Sequence, residues 1–316
     1  MRTWRIALAF LGIAALCAPA FGAEVARPGT VNYVEGAVYL NGNRLTNKEV
    51  GSTDMNAGQI LRTGTGKAEI LLNPGIYLRV DDHSAVKMIS PDVTPTQVEL
   101  VRGRAAVEVD QLLKQNVVQI VDHGVTTQLV KTGYYEFSAI HPRAMVFKGR
   151  AEVQEGNGKW EAIKGDHELP LVADAHLKAA KFQPDPQEDA LMNWSKLRSE
   201  YLAEANNQIA GEYYGAGFYP GWYWDPWMWD YTYLGWGPFY SPFGWGYYPM
   251  GWGWGGWGWG GWYGRGFYGA HGWHGGHGFR GVPRGGFRGG AGGFHGGAGG
   301  FHGGMGGGGF HGGGRA

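Results

Sequence analysis

The sequence predicts an all-β body, either a sandwich or a compact, solenoid-like wrapped sheet, followed by one amphipathic helix and a long disordered tail. Two observations lead to this prediction. Short stretches of alternating apolar and polar residues, separated by glycine-bearing turns, recur over residues 26–172. The 106 residues from Gly211 to the C-terminus hold 42 of the 59 glycines and 12 of the 15 tryptophans. Because glycine makes chain ordering costly, only the residues before this tail are expected to form a core.

The charge of the chain divides at the same place as its composition. Through Asp230 the chain carries 22 basic and 27 acidic residues, whereas beyond it there are five arginines and no acidic residue. The zero net charge of the 316 residues is therefore a cancellation. One folded domain with a low-complexity tail argues against a large multidomain enzyme.

The N-terminus has the layout of a secretory signal peptide, predicted over residues 1–23. Arg2 and Arg5 precede the apolar run 6–17, and small residues follow it. The run is too short to span a bilayer, so no transmembrane span is expected after cleavage, and the mature chain is expected in the periplasm, the outer envelope or the medium. The only cysteine, Cys17, lies in this leader, which excludes disulfides and thiolate chemistry in the mature chain.

The β-body is predicted over residues 26–172. Segments 68–72 and 76–80 flank an Asn-Pro-Gly turn and are typical of a hairpin. Alternation in the second strand places its apolar side chains on the core side and Tyr77 and Arg79 on the opposite face. Further strands are predicted at residues 98–100, 105–109, 117–121, 126–130, 134–139, 144–147 and 151–154.

One turn type is reused along this body. Gly36, Gly103 and Gly149 each follow an apolar and a charged residue and precede a strand. Their spacings of 67 and 46 residues exclude a fixed-period repeat. Glycine is expected at these places because it accepts positive φ or a bulge where strands change direction.

About half of the chain resembles the FecR-type periplasmic domain family. The resemblance rests on the segments 29–38, 58–64 (Gly-Gln-Ile-Leu-Arg-Thr-Gly), 67–72, 76–84, 98–104 and 131–137. It implies a periplasmic or surface β-domain that binds a protein or an envelope component. Transducers of this family also carry an inner-membrane helix and a cytoplasmic segment that controls a sigma factor. Since a leader is predicted in their place here, no cytoplasmic sigma-factor output is inferred.

A connecting helix is predicted over residues 185–210. Apolar residues there, such as Leu191, Trp194 and Leu202, recur at spacings of three and four. Asp189 is among the acidic residues at its start, and Gly211 is placed to end it. We expect its apolar stripe to cover part of the β-body; the alternative is a helix that binds a partner or a membrane surface.

The predicted tail, residues 211–316, begins with an aromatic segment. Its rings offer faces for stacking on sugars, lipid head-group regions or other tails; alternatively, some of them cover the body or the helix. Arginine, glycine and aromatic residues interleaved in this way also suit single-stranded nucleic acid, but export removes intracellular nucleic acid as a target. The candidate binding residues, for an envelope polymer or a protein partner, are Trp222, Trp224, Trp227, Trp229, Arg265, Arg280, Arg284 and Arg288.

Histidines of the tail are candidate ligands for copper, nickel, zinc or haem iron. Such a site would be weak, because a glycine chain must be ordered to assemble it and no carboxylate or thiolate stands nearby. The alternative is solvated low-complexity sequence, and no cofactor is predicted. The six histidines are His271, His274, His277, His295, His302 and His311.

Catalytic motifs give no support for an enzyme: the chain has neither a His-Glu-x-x-His motif nor a Gly-x-Ser-x-Gly elbow. The sequence therefore predicts a non-catalytic exported binding or scaffold module at the bacterial cell envelope. The first alternative is a protein that senses or sequesters a metal or ferric complex through the tail histidines. The second, less favoured, is a cell-wall hydrolase, which would need paired acidic residues converging in a cleft.

Overall fold

The computed structural model describes residues 26–154, 158–172, 178–182, 189–213 and 219–247. The chain divides into two units, Met1–Gly255 and Gly256–Ala316, and all described residues belong to the first. The predicted leader and the low-complexity end of the chain lie outside the described residues. None of the helical residues in the described ranges forms a segment both long and apolar enough to cross a membrane.

Fifteen strands precede the helix in a single hydrogen-bonded sheet. They are β1 (Val31–Leu40), β2 (Asn43–Leu45), β3 (Ile60–Leu71), β4 (Ile76–Val80), β5 (Ala85–Pro91), β6 (Thr96–Arg102), β7 (Arg104–Val109), β8 (Val118–Asp122), β9 (Val125–Leu129), β10 (Gly133–Ser138), β11 (Arg143–Lys148), β12 (Arg150–Gln154), β13 (Trp160–Lys164), β14 (His167–Pro170) and β15 (Ala180–Lys181).

The sheet runs in the order β13-β12-β9-β8-β6-β5-β3-β4-β7-β10-β11-β14-β15, with β1 and β2 attached through β3. Neighbours are antiparallel except β6 and β8, which are parallel. All strands from β1 to β14 contribute side chains to one apolar core. The all-β prediction is confirmed, and the body is one wrapped sheet rather than the two sheets of a sandwich.

The pleat of β4 separates two buried faces. Ile76, Leu78 and Val80 point into the core, as predicted. Tyr77 and Arg79 point to the opposite side, also as predicted, yet both are fully buried. An uncovered antiparallel sheet would leave this face in water, so something must pack on it.

The three reused glycines all have positive φ: 68° at Gly36, 81° at Gly103 and 107° at Gly149. The predicted reason for glycine is therefore confirmed. Close approach adds a second reason, because a Cβ on Gly103 would lie 2.2 Å from Ser84 Oγ and 2.7 Å from Ser84 Cα. Gly124 has a similar φ of 77° but has open space where its Cβ would lie.

Gly103→Ala is expected to lower the free energy of unfolding by about 3 kcal/mol, because backbone strain and a clash with Ser84 act together. Gly124→Ala isolates the strain and should cost about 1 kcal/mol. Urea denaturation followed by circular dichroism measures both. Equal losses in the two variants would show that the contact with Ser84 carries no cost.

Helix α1 (Ala190–Tyr213) covers part of the β-body, as predicted. Asp189 caps its start: its Oδ1 accepts a hydrogen bond of 3.0 Å from the Met192 N–H. The helix continues past Gly211, the predicted stop. The last turn is held by packing rather than by propensity, since the Tyr213 ring meets the Tyr223 ring at 4.5 Å.

The first part of the predicted tail is folded onto the body, which moves the end of the core beyond Gly211. Two hairpins follow the helix: β16 (Gly221–Asp225) with β17 (Asp230–Leu234), and β18 (Phe239–Tyr240) with β19 (Gly246–Tyr247). Tyr231, Tyr233, Leu234 and Tyr247 are all buried. Buried aromatic rings supply the packing in this segment, although its glycine content predicted that it would form no core.

Candidate binding surface

Charged side chains occupy the sheet face that points away from the core, which we call the outer face. It comprises the non-core positions of β3, β4, β7 and β10, where Glu69, Arg79, Glu108 and Glu136 stand on adjacent strands. All four side chains are fully buried. We call α1 and β16–β19 together the C-terminal cover, because these elements bury this face.

Arg79 lies at the centre of the outer face between two glutamates. Its Nε donates to Glu69 Oε2 at 2.9 Å, and its guanidinium also pairs with Glu108. Burial by itself would raise the pKa of Glu69, but Arg198 and Arg79 outweigh it and hold that pKa below its ordinary value. Glu69 is therefore a buried, ionised and fully paired carboxylate.

Arg198 joins the helix, the sheet and the first hairpin. Its Nη2 donates to Glu69 Oε1 at 3.0 Å and to Asp230 Oδ2 at 2.8 Å. Its guanidinium lies 4.1 Å from the centre of the Tyr33 ring. One side chain thus contacts β1, β3 and β17, and it fixes how the cover sits on the body.

Two further residues, Asn32 of the body and Ser199 of the cover, form hydrogen bonds that fix the position of the cover on the outer face. The Asn32 side chain pairs with the backbone of Tyr231, donating to its carbonyl oxygen at 3.0 Å and accepting from its N–H at 2.6 Å. Ser199 of the helix donates to Glu108 at 2.6 Å. Each of these hydrogen bonds joins the cover to the body, so detaching the cover would exchange them for hydrogen bonds to water.

A second ionic cluster lies at the start of the helix. Arg104 donates to Glu136 at 2.7 Å and to Asp189 at 2.8 Å, so the residue that caps the helix is also tied to β7. Tyr134 donates to the other Glu136 oxygen at 2.8 Å. Burial, with a smaller contribution from Asp189, raises the pKa of Glu136 to about 8 despite Arg104.

Carboxyl groups outnumber arginines beneath the cover. Burial raises the pKa of Asp230 to about 7, against the opposing effect of Arg198. Burial, followed by the charge of Glu108, raises the pKa of Asp110 well above its ordinary value. With Glu136, three buried carboxyl groups therefore hold protons more tightly than exposed ones do.

The free energy of unfolding is expected to fall as pH rises from about 5 to about 8, because the folded chain keeps protons on Glu136 and Asp230 that the unfolded chain releases near pH 4. Each group contributes on the order of 1.4 kcal/mol per pH unit between its folded and unfolded pKa values. Glu69 has the opposite sign and reduces stability only when the pH falls below its unfolded pKa. Urea midpoints across this range measure the slope.

Glu136→Gln supplies the control for this pH dependence, since the amide retains an acceptor for Arg104 but does not titrate. The variant should show a flatter profile than the parent. A urea midpoint that stays constant or rises with pH in the parent would contradict these assignments.

Aromatic rings hold the first hairpin to the body. The Trp222 ring meets Tyr77 of β4 edge-on at 5.0 Å, whereas the Trp224 ring meets Tyr231 within the hairpin at 5.1 Å. Trp224 also lies so close over Gly51 that a Cβ there would come within 2.4 Å of the indole. Of the predicted binding tryptophans, these two are half-buried and serve the packing that was the alternative interpretation of the segment.

The turn between β16 and β17, residues 226–229, presents the other two predicted tryptophans to solvent, and we call it the tryptophan tip. Trp227 is 74% exposed and Trp229 is 65% exposed. The buried Asp225 fixes the turn: its Oδ1 accepts from the Trp227 N–H at 2.8 Å, and its carbonyl accepts from the Trp229 N–H at 2.9 Å. The tip is a preformed surface feature.

The backbone of Trp229 has a φ of 56°, in the left-handed region that bulky side chains rarely adopt. A residue held there costs about 1–3 kcal/mol and often marks a functional position. Two exposed indoles on a strained, hydrogen-bonded turn are therefore the best candidate for a contact surface in the described part of the chain.

The remaining predicted site residues lie outside the described residues. These are the six tail histidines and four of the five tail arginines: His271, His274, His277, His295, His302, His311, Arg265, Arg280, Arg284 and Arg288. Within residues 26–247, as far as they are described, no group of three His, Cys, Asp or Glu side chains is placed to hold a metal ion.

Arg198 and Asp230, which determine how the cover docks, were not among the predicted site residues. A signal was present, because Arg198 stands four residues after Trp194 and four before Leu202, on the apolar stripe of the helix. A charge on such a stripe indicates a buried partner. On the body, the corresponding indication was Arg79, a charged residue on the outer face of β4 between strands that carry Glu69 and Glu108.

Comparisons with known proteins give limited similarity. No protein-family model and no curated protein match the chain. Two crystal structures, each titled as a "putative anti-sigma factor" from Parabacteroides distasonis ATCC 8503, are similar at 12% identity. One has a TM-score of 0.33 over 45% of this chain and 62% of that chain, and the other 0.35 over 43% and 64%. The match thus spans less than two thirds of either solved chain.

Proposed function

We propose that the protein is an exported, non-catalytic, FecR-like binding module of the cell envelope, and that the tryptophan tip is its contact surface. The observation that carries the proposal is the exposure of Trp227 and Trp229 on a turn that the buried Asp225 holds rigid. Rigid aromatic side chains lose little conformational entropy on binding, which suits a contact site.

The outer-face network supports the same function. A charged face buried by ion pairs and hydrogen bonds serves to fix the orientation of the cover, the role for which buried polar groups are best attested. The resemblance of the body to FecR-type domains fits a binding role, and the predicted leader supports a role outside the cytoplasm.

Fractionation of cells that express the full chain tests the proposal. Trp227→Ala/Trp229→Ala is expected to move a large part of the protein from the envelope fraction to the soluble fraction. The matched control is Trp160→Ala/Trp236→Ala, which removes two exposed indoles from β13 and from the loop after β17. Equal envelope retention of both variants and the parent would contradict the proposal.

A further inference from the structure

The chemistry of the tryptophan tip narrows the class of partner. Its four residues, Pro226, Trp227, Met228 and Trp229, carry no charged side chain. The only polar side-chain groups they offer are the two indole N–H groups. Indole rings with one polar edge favour the boundary between the hydrocarbon and the head groups of a bilayer.

A glycan is a poorer match to the same tip. Specific sugar binding requires polar groups placed to fix the orientation of the ligand. The two carboxylates that flank the turn in the sequence, Asp225 and Asp230, are buried. Asp225 is already committed to the backbone N–H groups of Trp227 and Met228, at 2.8 and 3.3 Å. A lipid interface needs no such directional partner.

The tip is also held ready for insertion. The Trp229 N–H to Asp225 carbonyl bond closes the turn, and the Trp229 ring packs edge-on against Trp224 at 6.1 Å. Trp224 in turn lies over Gly51 of the body. The entropic cost of ordering the tip is therefore borne during folding, and insertion costs correspondingly less.

We infer that the tryptophan tip inserts into the interfacial region of a lipid bilayer, so that the partner of this module is the membrane surface of the envelope. The inference rests on the proposed function, in which the tip is the contact surface. The inferred partner of the tip is lipid. Binding of a glycan or a protein at the tip instead of lipid would overturn the inference.

A single fluorescent label on the full chain tests the inference. Cys17, the only cysteine, is replaced by serine, and Met228→Cys carries an environment-sensitive nitrobenzoxadiazole label. Vesicles of zwitterionic phosphatidylcholine are the probe, because they offer no net charge to the arginines of the tail. Insertion predicts a blue shift of emission and quenching by brominated acyl chains.

Two controls separate the tip from the rest of the chain. The same label at exposed Lys114→Cys should show no shift of emission. Lys114 follows Gln111 by three residues, and Gln111 contacts Tyr233 near the open end of the hairpin, away from the tip. Adding Trp227→Ala/Trp229→Ala to the Met228→Cys protein should abolish the shift. Circular dichroism melting confirms that each variant is folded.

The lipid inference is overturned if the label at residue 228 shows no shift with vesicles. If the tip tryptophans still govern envelope retention in that case, the proposed function stands and only its partner is wrong. A shift produced by purified peptidoglycan but not by vesicles would assign the tip to a glycan. Loss of both readouts would remove the tip as a contact surface.

Discussion

A chain that ends at residue 218 is expected to lose most of the stability of the β-body, whereas a chain that ends at Tyr247 keeps it. The shorter chain lacks both hairpins of the cover. Tyr77 and Leu71, which pack with Tyr231 and Tyr247, would then face water. Each large apolar side chain that is uncovered costs about 1.5–3 kcal/mol.

Polar contacts that are lost with the hairpins add to this decrease in stability. Without Asp230, Arg198 has one carboxylate partner instead of two, and Asn32 loses both backbone contacts with Tyr231. The combined decrease in the free energy of unfolding should exceed about 5 kcal/mol, a large fraction of the stability of a typical domain. Urea denaturation of the two truncated chains measures the difference. Coincident unfolding curves would show that the hairpins do not belong to the core.

Arg198→Leu is expected to lower the free energy of unfolding by about 3–5 kcal/mol, because it leaves Glu69 and Asp230 buried with fewer counter-charges. Leucine and arginine have similar helix propensities, so propensity does not explain the loss. Leucine also continues the apolar stripe of α1. Glu69 retains Arg79, which limits the damage on the sheet side. The larger effect should fall on the docking of the first hairpin.

The matched control is Lys196→Leu, two residues earlier on the same helix but less buried. It should change stability by less than about 1 kcal/mol. The double variant Arg198→Leu/Asp230→Leu removes both members of one pair and should recover part of the loss, as buried ion pairs replaced by apolar residues often do. Equal costs for Arg198→Leu and Lys196→Leu would contradict the central role of the network.

The strands of the body could be predicted because local patterns determine them, whereas the choice between a sandwich and a wrapped sheet depends on pairings between strands that are distant in the sequence. Alternation assigned the two faces of β4, and the positive φ at Gly36, Gly103 and Gly149 followed from the recurrence of one turn. Local chemistry also determined the cap at Asp189. In each case the relevant physics acts between residues that are close in the sequence.

The helix of the cover was predicted, but the contacts that dock the cover on the body could not be, because they join residues that are distant in the sequence. Asn32 meets a backbone 199 residues away, and Glu69 meets an arginine 129 residues away. The high glycine content predicted that the chain beyond Gly211 would form no core, because ordering such a chain is costly. The outer face of the sheet supplies the surface that this segment lacks on its own, so burial of tyrosine and tryptophan rings replaces an aliphatic core.

The same dependence explains why the four candidate tryptophans differ in exposure. The sequence around each of the four is similar: Trp222, Trp224, Trp227 and Trp229. The first two lie on a paired strand and are half-buried, whereas the last two lie in the turn and are exposed. Only the register of the hairpin distinguishes an aromatic residue that packs from one that is free to bind.

Amide hydrogen exchange on the full chain tests most directly whether the cover is an integral part of the fold. The Tyr231 N–H, which donates to buried Asn32, and the other paired amides of β17 should exchange as slowly as those of β4, because both belong to one cooperative unit. Exchange of the β17 amides at the rate of an unfolded chain, while β4 stays protected, would show that the cover is not docked.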